Sequence, residues 1–273
     1  MADVTKMLLA SAPLDPTAPS VARDLWAEHR GRAGVPLLTP PGANTKLAKS
    51  KMPSCGLSLM PANASGEQVC RYRTDGCTTG CVAYSGAWGE RATAKRGRSY
   101  KTTFLAKWPE AFLTLLMVEI ERAVKKDGAI AVRLNAFSDI PWEACAPALF
   151  STWKQEHVQF YDYTKWPAGT RKPPANYDLT QSVSEHTNLN DLRAALTRTR
   201  GHRWAVVVPK TDVDQPSWNG VPCVNGDLSD ERWLDPKPGL VLLKAKGRMQ
   251  KGNPMVRELW KEKTWETTLE SCA

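Results

Sequence analysis

Cys70, Cys77 and Cys81 fall within twelve residues, on a stretch with no lysine, little apolar bulk and a glycine directly before each of the last two. A fourth cysteine, Cys55, lies fifteen residues upstream. Thiolates this dense on a glycine-bearing loop suit a soft metal. The C-x6-C-x3-C run leaves three readings open. Structural zinc usually takes C-x2-C pairs or mixed Cys and His ligands. No C-x2-C occurs, and His29, His157, His186 and His202 lie far from the loop in sequence, so zinc would need Cys55, Cys70, Cys77 and Cys81. A 4Fe-4S cluster takes four thiolates, or three with one iron open, and its corners stand farther apart than the donors around one ion. Unmetallated thiols are the third reading. Three ligands or four decides between a reactive iron and a closed, structural or electron-transferring centre.

A second set of candidates follows the apolar runs. Ligands of parallel α/β folds bind at the carboxyl ends of strands. Behind the run at 129–134 stand Asn135, Ser138 and Asp139; the next run carries Tyr161, Asp162, Tyr163 and Lys165; a third leads to Ser182 and Glu185. Carboxylates, amides, hydroxyls and a lysine on one rim are what a polar pocket needs. Asp139 and Glu185 are the acid/base candidates and Lys165 an anion contact. Asn135, Arg133, Tyr161, Asp162, Tyr163 and Ser182 are candidate substrate contacts. Arg133 sits inside an apolar strand, so it must point into a barrel or pair with a carboxylate, because a buried bare charge is too costly.

The elements that would position these groups alternate. Short strands are read at 57–60, 129–134, 158–163, 176–180, 204–208 and 240–243. Helices are read at 108–126, where Pro109 suits the first turn and Gly128 the end, and at 143–156, 188–200 and 253–265. Strands that are apolar throughout and alternate with helices indicate an α/β fold on a parallel sheet of about six or more strands, arranged as a partial or full β/α barrel. Residues 1–54, with one short helix within 15–30 and a Pro/Gly/Lys-rich stretch after it, read as an N-terminal arm on a single α/β domain spanning 55–273.

The 273-residue chain is 42% hydrophobic, enough for a sizeable core, and carries 37 basic against 28 acidic residues, a net charge of +9. Such a surface favours phosphate-bearing or other anionic partners. Arg91, Lys95, Arg96, Arg98 and Lys101 form one basic run; Arg193, Arg198, Arg200 and Arg203 form another. With eleven tryptophans, among them Trp142, Trp153 and Trp166, they suggest grip on single-stranded nucleic acid. No nucleic-acid module signature accompanies them. No apolar run approaches the ~18 residues that span a bilayer. Met1 to Ala10 holds Lys6, and Pro13 and Pro16 follow, so no signal segment is read. Clustered cysteines then imply a reducing cytosol and metal or catalysis before disulfides. Cys145 and Cys223 read as core or loop thiols and Cys272 as an exposed one.

The runs Leu57-Ser58-Leu59-Met60-Pro61-Ala62, Val69-Cys70, Gly76-Cys77 and Cys81, and Lys101-Thr102, resemble the phage and plasmid proteins of the "gene product eighty-eight" type. So do 131–135, 138–143, 159–165, 225–227, 235–237 and 243–247. The resemblance spans about 57–247 and implies a phage-encoded protein of the host cytosol, with three cysteine ligands and Cys55 outside the pattern. It implies no activity. A weaker, architectural likeness is to radical S-adenosylmethionine enzymes, in which a three-cysteine loop follows a strand and leaves one iron free to chelate the cofactor. Their C-x3-C-x2-C spacing differs from this one, and Asn135 to Asp139 stands where a glycine-rich acidic segment is expected. Together the readings favour a phage 4Fe-4S protein with S-adenosylmethionine as a candidate cofactor. The alternative is a metal-stapled module that binds nucleic acid or a host protein.

Overall fold

The computed structural model describes residues 3–10, 17–42, 50–198, 202–250 and 252–261. In chain order the elements are α1 (Val4–Ala10), α2 (Pro19–Arg30), β1 (Leu38–Thr39), β2 (Ser54–Leu57), α3 (Asp75–Thr79), α4 (Gly86–Glu90), α5 (Ala92–Lys107), α6 (Pro109–Asp127), β3 (Ile130–Arg133), α7 (Trp142–Cys145), α8 (Ala148–Ser151), β4 (Val158–Thr164), β5 (Tyr177–Ser182), α9 (Leu189–Arg198), β6 (Arg203–Val208), β7 (Ser217–Trp218), β8 (Val221–Asn225) and β9 (Gly239–Lys244).

Among the described residues, nine strands form one sheet in the order β1-β2-β3-β4-β5-β6-β9-β8-β7. Strands β2, β3, β4, β5, β6 and β9 run parallel in consecutive positions, and β8 is parallel to β9. Only the outer pairs, β1 with β2 and β7 with β8, are antiparallel. The fold is thus α/β on a mostly parallel sheet, as expected, but the sheet is open. Closure into a full barrel does not occur, because β1 and β7 end it as edges.

The two faces differ in chemistry, and the period-two alternation of each strand sorts the residues. Ile130, Val132, Val158 and Phe160 face helices α1, α2, α5 and α6 in one apolar core. Val206, Val208, Leu240 and Leu242 pack with Leu192 and Leu196 of α9 in a second. The opposite face carries Arg133, Tyr161, Tyr163 and Arg203. Buried charges there need partners, and they have them. Arg203 pairs with Asp178, Arg133 with Asp230 at 3.5 Å, and Arg232 with Asp235 at 3.0 Å. The connection from β8 to β9, which holds Asp230, Arg232 and Asp235, lies across this face.

Four expectations are corrected here. The described residues of 1–54 do not stand apart as an arm: Val4, Leu8, Ala22, Trp26, Leu37 and Leu38 are buried in the main core. The helix read at 143–156 is two short ones, α7 and α8, because Pro147 forces Ala146 out of helical geometry (φ −146°, ψ 63°). The first strand is 54–57 and not 57–60, which places Cys55 inside it. Residues 253–261 form turns and a bridge to Val207 where a helix was read; 262–265 and Cys272 lie outside the described residues.

Candidate metal centre

The cysteine segment leaves the carboxyl end of β2 and lies over the carboxyl ends of the parallel strands. Cys77 sits in α3, whose start is fixed by Thr74: its Oγ1 accepts the Cys77 N–H at 3.2 Å. The spacing Gly76-Cys77-x-x-Gly80-Cys81 repeats every four residues, about one helical turn. One stripe is glycine and docks; the neighbouring stripe is cysteine. A Cβ on Gly76 would lie 3.0 Å from Pro254 Cγ and from Met255 Cγ, and one on Gly80 2.5 Å from Met249 Sδ. The two glycines therefore let this short helix press against Met249, Asn253, Pro254 and Met255. Asn253 Nδ2 donates to Gly76 O (2.9 Å) and Thr79 Oγ1 (3.2 Å). Glu185 Oε1 accepts the Gly76 N–H at 2.7 Å, and its Oε2 accepts the Thr74 hydroxyl at 2.7 Å.

Held this way, Cys70, Cys77 and Cys81 all line one cavity of about 470 Å³. Each sulfur has a donor beside it. The Ala62 N–H reaches Cys70 Sγ at 3.4 Å, from a left-handed backbone (φ 56°) that a residue with a Cβ rarely adopts. The Ala83 amide lies beside Cys81, and the Lys165 ammonium beside Cys77. The amides favour the charged form of Cys70 and Cys81. Against them, burial pushes Cys70 up to about 12 and also raises Cys81. Cys70 and Cys81 therefore ionise most readily against a cation. Burial works against the charge of Lys165 too, but Cys77, Asp139 and Cys70 outweigh it and raise its pKa.

Cys55 is not with them. It is 3% exposed and packs in the main core, where burial, then Asp127 and Glu119, push its thiol up to about 11. Strand alternation explains this: Ser54 reaches across to the Tyr161 hydroxyl (3.1 Å), so its neighbour faces the helices. Cys145 and Cys223 lie in α7 and β8. Among the described residues, no three His, Cys, Asp or Glu side chains surround one point so as to hold a single metal ion.

The polar rim divides. Arg133, Asn135, Asp139, Tyr163, Lys165 and Ser182 line the cavity beside the thiols. Asn135 does so as a structural hub. Its Oδ1 accepts from Ser138 Oγ, Ile140 N and Trp142 Nε1, and its Nδ2 donates to Ile140 O and Asp162. Asp139 accepts the Lys165 N–H at 2.8 Å and faces Arg171 at 3.6 Å; burial, partly offset by Arg171, raises its pKa. Arg133 both faces the cavity and pairs with Asp230, and its guanidinium lies 4.9 Å from the Tyr163 ring centre. Burial pushes Tyr163 up to about 12, and its hydroxyl has no hydrogen-bond partner.

Tyr161, Asp162 and Glu185 do not line the cavity. Three consecutive strand residues cannot share a face. Asp162 therefore points the other way, accepting from Asn135 N and the Tyr177 hydroxyl at 2.8 Å each, and burial pushes it up to about 7. Tyr161 is fully buried between Ser54 and Asp230. Glu185 is a clamp on α3 and not an acid facing the cavity. Lys244 and Lys246, at the carboxyl end of the last strand, line the cavity as well, and so does Arg73, which the sequence does not single out although it sits between two of the cysteines.

The basic runs lose members to the interior. Arg98 is 8% exposed and donates to Gly89 O, and Arg203 is 1% exposed. Neither is free for a phosphate. Among the described residues no helix is long and apolar enough to cross a membrane.

No curated protein and no solved structure matches the chain. The family model described as Gene product 88 matches residues 36–260, a span that takes in the cysteine segment, the whole parallel sheet and the turns that α3 docks against. The chain belongs to the gene product 88 family.

Proposed function

We propose that the protein is a phage-encoded 4Fe-4S protein, with Cys70, Cys77 and Cys81 as ligands and the cavity beside them as the place where a substrate meets the cluster. The observation that carries this is that the three sulfurs Cys70, Cys77 and Cys81 line one cavity. A cubane separates its ligands more widely than tetrahedral zinc does. With Cys55 on the far side of the sheet, the protein supplies three thiolates. A cluster so bound offers an open iron for Lewis-acid or redox chemistry. The donors at Ala62, Ala83 and Lys165 would temper the sulfur charge, and Asp139, its pKa raised by burial, is the candidate acid/base group at the cavity.

Sequential parallel strands with the cysteine segment after the first of them support the incomplete-barrel architecture, and with it S-adenosylmethionine as a candidate cofactor. The C-x6-C-x3-C spacing keeps the enzyme class open.

The test is anaerobic purification and reconstitution, with iron, sulfide and zinc counted. Brown protein with iron and sulfide in equal amounts is expected. Cys55→Ser should keep the cluster, and Cys70→Ser, Cys77→Ser and Cys81→Ser should each lose it. A change in the electron paramagnetic resonance of the reduced cluster on adding S-adenosylmethionine would identify the cofactor. Colourless protein with stoichiometric zinc would favour the second reading, a metal-stapled module that binds nucleic acid or a host protein. One feature favours that reading. Tyr72, 36% exposed, packs on Trp166 with ring centres 4.8 Å apart, and Arg71 lies 5.8 Å from both. The rings meet edge to face at 62°, and such an aromatic and basic cluster suits contact with a base; binding to oligonucleotides should then fall steeply with salt.

A further inference from the structure

The thiols occupy only part of the cavity, and a compact cubane would fill a fraction of about 470 Å³. The rest is walled by Ala205, Val207 and Leu243 of the sheet and by Met249 and Met255. Five cations reach this space, and three are engaged. Arg133 pairs with Asp230, Lys246 with Asp227, and Lys165 with Cys77 and Asp139. Arg73 and Lys244 line the same cavity, half-buried, and among the described residues neither has a carboxylate within ion-pair distance or a side-chain hydrogen bond. Asp227 does not pair with the Lys244 ammonium: its Oδ2 takes the Lys244 backbone N–H at 3.1 Å and its Oδ1 pairs with Lys246.

Two cations left without counter-charges in a mainly apolar cavity cost free energy that an anion would recover. We infer that the cavity binds a small organic anion, a phosphate or carboxylate on an apolar body, with Arg73 and Lys244 gripping the charge and the sheet floor taking the body. Arg73 comes from the cysteine segment and Lys244 from the end of β9, so the anion would bridge two separate elements. A guanidinium fork matches either oxyanion, and the ammonium adds a point charge. This inference rests on the reading of the thiol cavity as the working site, but not on the metal that fills it.

The rival account is that both cations balance the charge of the thiolates. Calorimetric titration of the full chain, metal-free and reconstituted, with phenyl phosphate, benzoate, inorganic phosphate and neutral phenol separates the two. Phenyl phosphate or benzoate should bind about tenfold or more tighter than phenol, and an aryl anion tighter than inorganic phosphate. Which aryl anion leads identifies the group. Arg73→Gln and Lys244→Gln should each weaken the anion about tenfold and leave phenol affinity and iron content unchanged. Equal affinity for phenol and both anions overturns the inference. So does iron lost from both variants with anion binding intact, which would assign the cations to the cluster. If a variant fails to fold, the wild-type protein still decides: the preference for anions must shrink with salt. Selective anion binding without iron loading would sink the cluster and leave this inference standing.

Discussion

Glu185 Oε1 lies 2.7 Å from the Gly76 amide nitrogen, joining the segment after β5 to the helix that carries Cys77 across 109 residues of chain. The same carboxylate takes the Thr74 hydroxyl, which itself caps Cys77. One side chain thus fixes both the start of α3 and its distance from the sheet.

Glu185→Ala should leave the Gly76 amide and the Thr74 hydroxyl without their acceptor and cost about 1–3 kcal/mol in urea unfolding. Hydrogen exchange at 74–80 should rise more than elsewhere, and Glu185→Gln should fall between. The pH dependence has a fixed sign. Burial works to raise the carboxyl, but Thr74 and Gly76 outweigh it and hold it below the ordinary 4.5. The contribution is therefore present above pH 4.5 and lost as pH falls through the lowered folded value. Protection of 74–80 that is unchanged on acidification would remove the clamp.

Gly80→Ala sets two effects against each other. At this C-cap position (φ −92°), which alanine can adopt, the change lowers the entropy of the unfolded chain and gains about 0.4–1 kcal/mol. The alanine Cβ, however, would sit 2.5 Å from Met249 Sδ and 2.7 Å from Asn253 Nδ2. Overpacking of this kind costs about 1–3 kcal/mol, so the variant should be less stable on balance. Shortening the obstacle should restore part of the loss. Gly80→Ala with Met249→Ala should be more stable than the sum of the two single changes, a positive coupling in a double-mutant cycle. Additive losses would mean that Gly80 is there for another reason.

What was legible in the sequence follows the physics of each signal. Period-two and period-3.6 patterns placed β3, β4, β6, β9 and α6 within a residue or two, because burial on a defined face writes itself into residue type. The clustering of Cys70, Cys77 and Cys81 was visible because three scarce residues stood together. Which side a residue faces was harder to read. Cys55 fell on the wrong side of the sheet once the strand began at Ser54 instead of Leu57, since a shift of register reverses faces. Asp162 was grouped with Tyr163 although neighbours in a strand point apart. Glu185 and Asn253 could not be read as clamps, because their partners lie 109 and 177 residues away and no local pattern records such a contact. Open against closed sheet is likewise decided by the edges, β1 and β7, each two residues long.

Cys55 offers a direct separation of stability from metal binding. Its thiol is buried among apolar side chains, with Leu57 and Phe104 in the same cluster. Cys55→Ser puts a hydroxyl where no water reaches and should cost about 1–3 kcal/mol. Cys55→Ala should cost less, since it leaves a small cavity and no polar group. The iron content of both should match the wild type. Cys70→Ser should show the reverse pattern, with little change in the stability of the metal-free chain and loss of the centre. If Cys55→Ala folds as well as the wild type but takes up no iron, the three-thiolate assignment is wrong.

Arg203 and Asp178 form the ion pair beneath the cavity, with the arginine side chain fully buried and the aspartate 7% exposed. Arg203 also donates to Thr180 Oγ1 at 3.1 Å and Asp235 O at 2.9 Å, and Lys237 shares the Asp178 carboxylate. Removing one partner strands a charge. Asp178→Ala should therefore cost about 3–5 kcal/mol and lower the denaturation midpoint with an unchanged slope. Replacing both, Arg203→Met with Asp178→Leu, removes the stranded charge and leaves two neutral acceptors to resolve, so it should cost less than Asp178→Ala alone. The order follows from desolvation: the pair stabilises little relative to an apolar filling, but either half alone is expensive. A double variant less stable than the single one would mean that the Thr180 and Asp235 contacts, and not the charge pair, hold this layer together.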